Sequence, residues 1–248
     1  MARVQHLPHA PIIEAVIDVR VQLPPDFSID RFEVLRGVLE GQYSGPERIQ
    51  SMEARLGFVD GRPVPPDPKY AVLGIRLKST DEHAIVQFRS DGFTFNRLEP
   101  YTNWAEIFPE ALRLWHEYVR VVGQATVTRL AVRYINRLRL PLPVPDLARY
   151  LMAPPVVAPG LPQIIRSFLT RIVVFDGARD QSAIVTQALE PSAVEQNQMM
   201  VLLDIDAYKE ATLAVNDPRL ESVFRNLHDF KNEIFFESIT EEAVGLFQ

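Results

Sequence analysis

Residues 126–140, TVTRLAVRYINRLRL, alternate in side-chain character over their whole length. Period-two alternation marks a β-strand whose two faces meet different surroundings. Leu130, Val132, Tyr134, Leu138 and Leu140 take one face, and Val127, Arg129, Ala131, Arg133, Ile135, Arg137 and Arg139 take the other. The sheet that contains this strand is therefore expected to have an apolar side for helices and a charged, open side.

The remaining elements fit that plan. Residues 12–22 alternate in the same way, with Ile13, Ala15, Ile17, Val19 and Val21 opposed to Glu14, Asp18, Arg20 and Gln22. Ser28 or Asp30 is placed to cap a helix carrying Phe32, Leu35, Val38 and Leu39, with Gly41 as its stop. Strands are predicted over 51–59, burying Met52, Ala54, Leu56 and Phe58, and over 70–78, burying Ala71, Leu73, Ile75 and Leu77. Two more, at 83–90 and 93–98, flank the hairpin signal Asp91-Gly92. Asn103 or Thr102 caps a long helix that Gly123 ends. The second part offers a short helix or turn near Asp146, strands at 167–175, 182–189 and 199–206, and a helix over 218–236. Ser238-x-x-Glu241 reads as a capping box for a short last helix.

The order is strand, helix, three or four strands, helix, and then the same again. The predicted class is α+β, with two β-α-β(3–4)-α halves, 1–124 and 125–248, forming one curved antiparallel sheet with helices on one face. The connection at 120–128 is too short for a flexible linker, so the halves are read as one integrated domain. This element order is similar to that of TATA-binding-protein-like and helix-grip folds.

Composition narrows the function classes. The chain has no cysteine, which excludes disulfides, thiolate zinc sites, iron–sulfur clusters and cysteine nucleophiles. A net charge of −6, shared evenly by the halves, argues against a nucleic-acid binder held by bulk charge. No leader and no apolar run of membrane-spanning length is visible, so the cytoplasm is the expected compartment and no membrane partner is expected.

Four strings stand out together: HLPHAPIIEAVIDVRV, QFRSDGFTFNRLEPYTNW, RLAVRYINRLRLP and FKNEIFFESIT. With them the chain resembles, over essentially its whole length, a sporadically distributed bacterial family of proteins of about this size that carries no assigned activity. The resemblance implies no catalytic residues. The sporadic distribution is associated with accessory genes.

There is no P-loop, no GxGxxG and no GxSxG elbow. His6 and His9 are separated by Pro8, which rules out a helical metal pair, and no cofactor is expected. Asp204 and Asp206 share a strand face and are the only weak metal candidates. The aromatic set Phe88, Phe93, Phe95, Tyr101, Trp104, Phe108 and Trp115 reads as core, and Phe235 or Phe236 is left to pack under the terminal segment or to meet a partner. The candidate ligand-binding residues are the arginines of the open face: Arg76, Arg89, Arg129, Arg133, Arg137 and Arg139. Arg20, Arg55, Lys78 and Gln87 lie beside them, with Glu14, Asp18 and Glu53 as counter-charges. Planar guanidinium groups suit anions, so the leading expectation is a binding module rather than an enzyme. Its ligand would be an anionic small molecule or a protein, with nucleic acid as a less favoured possibility and a homodimer as a further option. An enzyme acting on a nucleotide-like or phosphorylated substrate is the alternative. A third reading is a protein–protein accessory component of a defence or antitoxin-like system.

Overall fold

A computed structural model describes residues 2, 5, 7–53, 57–59, 62–64, 69–190 and 198–248, with side chains left undescribed over 53–69. Eleven strands and four α-helices are described. In chain order the first part holds β1 (Ile12–Gln22), α1 (Val34–Val38), β2 (Tyr43–Glu53), β3 (Gly57–Val59), β4 (Arg62–Val64), β5 (Lys69–Ser79), β6 (Ala84–Arg89), β7 (Gly92–Leu98) and α2 (Trp104–Val122). The second part holds β8 (Thr126–Pro141), β9 (Leu169–Asp176), β10 (Gln181–Leu189), β11 (Gln198–Ala214), α3 (Leu220–Ser238) and α4 (Glu241–Val244). No helix among the described residues is long and apolar enough to cross a membrane.

Nine of the strands form one open antiparallel sheet in the order β2-β5-β6-β7-β1-β8-β11-β10-β9, and β3 and β4 pair separately. The class is α+β, as predicted, with the helices packed against the sheet. The first strand of each half lies at the middle, and β1 pairs with β8 from Ile12↔Asn136 to Gln22↔Thr126. Outward from that seam each half runs in reverse chain order. One buried cluster crosses the seam, joining Ile17, Phe93 and Trp115 of the first half to Leu130, Phe224 and Leu227 of the second. A second cluster joins Leu138, Leu140, Ile205, Phe235, Phe236 and Phe247.

Local chemistry explains most boundaries. The Asn103 side chain accepts the Glu106 backbone N–H at 3.0 Å, fixing the start of α2. Phe88, Phe93 and Phe95 of the sheet and Phe108 and Trp115 of α2 are all buried, as core aromatics should be. β11, the near-continuous apolar strand, has neighbours on both sides and runs on to Ala214.

Several expectations need correction. The helix predicted near 28–39 is a 3₁₀ turn, Ile29–Glu33, followed by only five residues of α-helix. The Ser28 side chain makes no capping bond, and Val38 is exposed. A strand, β2, occupies Tyr43–Glu53, and Met52 on it is 62% exposed rather than buried. Ala71 is exposed as well. Ala54, Arg55, Leu56 and His6 lie outside the described residues, as do the side chains of Glu53 and Phe58. Val127 is fully buried on the helix side, not beside the arginines. The register shifts between Arg20↔Arg129 and Val21↔Val127, so a bulge at Thr128 turns the strand over. The Ser238 hydroxyl bonds back to the Ile234 carbonyl, and it is Thr240 that caps α4 by accepting from Ala243. Phe235 and Phe236 are both buried, packed edge to face against each other.

Candidate functional site

The open face carries the predicted arginines, and β11 supplies the partners of Arg129 and Arg133. Arg133 donates twice to Asp204, at 2.8 and 2.6 Å, and Arg129 donates to Asp206 at 2.7 Å while its guanidinium lies 4.4 Å over the Tyr208 ring. Arg137 forms a forked pair with Glu190 at 3.0 and 3.2 Å. Further along, Asp18 accepts from Arg20 and from the Thr94 hydroxyl, and Arg89 donates to Thr94 and Asp91. Arg76 pairs with Glu47. It stands four strands from β8, about 19 Å away at ordinary strand spacing, and is not part of the group. Arg139 is exposed and has no carboxylate partner among the described residues.

The two sequence motifs are thus one network. Asp204 and Asp206 are occupied by arginines, and no group of three metal-ligating side chains occurs among the described residues. Burial pushes the Asp206 carboxyl above its usual range, against the opposing pull of Arg129 and Arg133. Arg133→Ala is expected to cost no more than about 1 kcal/mol, since its side chain is 45% exposed. Arg129→Ala removes the closest partner of a half-buried aspartate and is expected to cost about 2 kcal/mol. Urea melts of the two variants check the order. Equal losses would contradict this reading of burial.

On the other face, the apolar pattern breaks where it should not. Along the helix side of β8 the sequence reads Leu130, Val132, Tyr134, Asn136, Leu138, Leu140, and Asn136 is only 2% exposed. Its amide N–H₂ donates to the Leu203 carbonyl at 2.9 Å. On α3 the buried series Leu220, Phe224, Leu227, Lys231, Phe235 keeps helical spacing, so Lys231 occupies a core position and is 4% exposed. These polar residues meet at a cavity of about 200 Å³ between the start of α2, the end of α3 and the chain leading into β1.

The Lys231 ammonium donates to Asn232 Oδ1 at 2.6 Å and sits 3.5 Å from the centre of the Tyr134 ring. Tyr134 and Tyr101 share a hydroxyl–hydroxyl bond of 2.9 Å. His228 stacks on Trp104 at 4.3 Å. Leu7, Pro11, Ile12, Phe235 and Phe236 complete an apolar wall. Residues from all four of the sequence strings noted above line this one cavity. Burial pulls Lys231 down to about 7 and His228 down to about 3, and it raises both tyrosines.

Because folded His228 refuses a proton that the unfolded chain accepts below about pH 6.5, stability is expected to fall as pH drops below that value. His228→Gln should flatten the fall, by about 2 kcal/mol at pH 5, in a comparison of melts at pH 7 and 5. Parallel losses in the two proteins would show that His228 takes up its proton without unfolding.

The sequence reading missed Asn136 and Lys231 because it asked which residues made the apolar stripe, not which ones interrupted it. The signal was present in the spacing of Leu227, Lys231 and Phe235. The chain matches no protein-family model and no curated protein.

Proposed function

We propose that the chain is a binding protein for a small organic acid or carbonyl compound, held in the cavity at Lys231. The observation that carries this reading is Lys231 itself. It is a cation buried among aromatic rings with a single hydrogen-bond acceptor among the described residues, although an ammonium has three donors to satisfy. Burying a charge so poorly paired is costly, and an acceptor group on a ligand offsets that cost. The apolar and aromatic wall suits a flat carbon skeleton, and Tyr101, Asn103 and Asn232 offer polar contacts at its rim. The cavity is smaller than sites for drug-sized ligands, which favours a small metabolite.

Benzoate is a suitable probe, a flat ring with one carboxylate. It should raise the melting temperature of the full chain, more at pH 6 than at pH 9, where Lys231 loses its charge. Lys231→Met should abolish the shift. No shift with benzoate, or with benzaldehyde as the neutral analogue, would overturn the reading.

A second reading places an anionic partner on the open face, and it is favoured by Arg139, the arginine of β8 that no described carboxylate neutralises. Arg139→Ala should then weaken retention on a heparin column at low salt. Unchanged retention would remove this reading.

A further inference from the structure

The two edges of the sheet are built differently. At one edge β2 carries Gly45, Pro46, Glu47 and Arg48, and its register slips twice against β5. Proline, charge and bulges are the usual means by which an edge avoids pairing with another chain. At the other edge β9, LTRIVVFD, pairs with β10 over eight positions without a slip, from Leu169↔Ala188 to Asp176↔Gln181. It contains no proline or glycine and a single internal charge, Arg171. No strand among the described residues pairs with its outer side.

This edge is apolar on both faces. Leu169, Val173 and Phe175 point to the arginine side and are 72%, 55% and 68% exposed; Ile172 on the helix side is 57% exposed. The bare side of a strand presents a ladder of N–H and C=O groups that another extended strand satisfies best. Whatever lies there must also bring apolar side chains to both faces, and β9 is itself such a strand.

We propose that β9 pairs antiparallel with β9 of a second copy, joining two sheets across a two-fold axis at Val173. In that register Val173 meets itself, and Ile172 meets Val174 of the second copy. Thr170 meets its Asp176, and Arg171 lies beside its Phe175, a cation against an aromatic ring. No like charges are opposed. Centring the axis one residue earlier would instead place Arg171 opposite a valine and Asp176 opposite Phe168. Because β2 is protected, each copy has one pairing edge, and the assembly closes as a dimer instead of growing into a fibre.

The test uses the full chain. Sedimentation equilibrium should give twice the 28.2 kDa chain mass. Ile172→Lys together with Val174→Lys should return the monomer mass with little change in melting temperature at low concentration, since both positions face solvent in the single chain. The absence of cysteine allows a direct reading of register. Val173→Cys should cross-link to a dimer under mild oxidation, because directly opposed residues lie within disulfide reach. Leu169→Cys should not, since its two copies would stand about 27 Å apart. A monomer at every concentration, a dimer indifferent to the lysine substitutions, or cross-linking through position 169 in place of 173 would overturn the proposal.

Discussion

Lys231→Met is expected to make the protein more stable at pH 7 and to remove a rise in stability that the unaltered chain shows between pH 7 and about pH 10. The folded chain holds Lys231 near 7 while the unfolded chain holds it at its ordinary 10.5. Between those values the unfolded state binds a proton that the folded state does not. Raising the pH therefore favours the folded state, by up to about 1.4 kcal/mol per pH unit. The groups that face the amine are His228, neutral throughout this interval, the two tyrosines, protonated throughout it, and Asp229, whose charge works against the shift. Methionine keeps the length of the side chain and removes the charge. A gain of about 4 kcal/mol at pH 7 follows, shrinking to under about 1 kcal/mol by pH 10. Urea melts at pH 6, 7, 8 and 9 on both proteins give the difference directly. A constant difference across that range would mean that Lys231 keeps its proton in the folded chain, held by the Tyr134 ring and Asn232.

Gly92→Ala is expected to be, with Gly74→Ala, one of the most damaging small substitutions in the sheet. Gly92 opens β7 at a φ of +156° and lies opposite Arg20 of β1. A Cβ there would stand 2.2 Å from the Val19 carbonyl oxygen, well inside contact distance. The obstacle is backbone in a central strand and cannot turn aside as a side chain would. Either the β1–β7 ladder opens or the strand shifts. A loss of about 4 kcal/mol or more is expected, enough to abolish soluble expression in a protein of ordinary stability. Recovery of soluble Gly92→Ala with a melting temperature within about 3 °C of the unaltered chain, a loss of only about 1–1.5 kcal/mol at this size, would show that the strands separate at little cost. The sequence places the hairpin turn at Asp91-Gly92, but Arg89 pairs with Gly92. The turn is Ser90-Asp91, and Gly92 is needed for the approach of the neighbouring strand.

Local pattern carried the strands and long helices well, because alternation and helical spacing are properties of neighbouring residues. The early helix failed for a related reason: Phe32, Leu35 and Leu39 are buried at helical spacing, but a 3₁₀ turn followed by one short helical segment satisfies the same burial. Pairing was the part that could not be read. Arg133 and Asp204 were both singled out, and both lie on the open face, yet nothing in either segment announces that β8 and β11 are neighbours with Arg133 opposite Asp206. Without that register the arginines looked unopposed and the aspartates looked available for a metal. The cavity depends on register even more, since its polar residues come from α2, α3, β8 and the approach to β1.

The seam between β1 and β8 also sets a timetable for biosynthesis. β1 acquires its first neighbour once β7, ending at Leu98, has left the ribosome, but its other edge waits for β8, which ends at Pro141. Until then the nascent chain presents a long half-apolar strand whose free side is matched in length and pattern to a strand not yet released. Pairings this distant along the chain form slowly, and a strand left open in the meantime is a template for the wrong partner. The innermost strand of the finished sheet is thus, for part of its existence, an outermost one. A pause in translation before β8 has emerged is a stage at which this protein is exposed to misassembly.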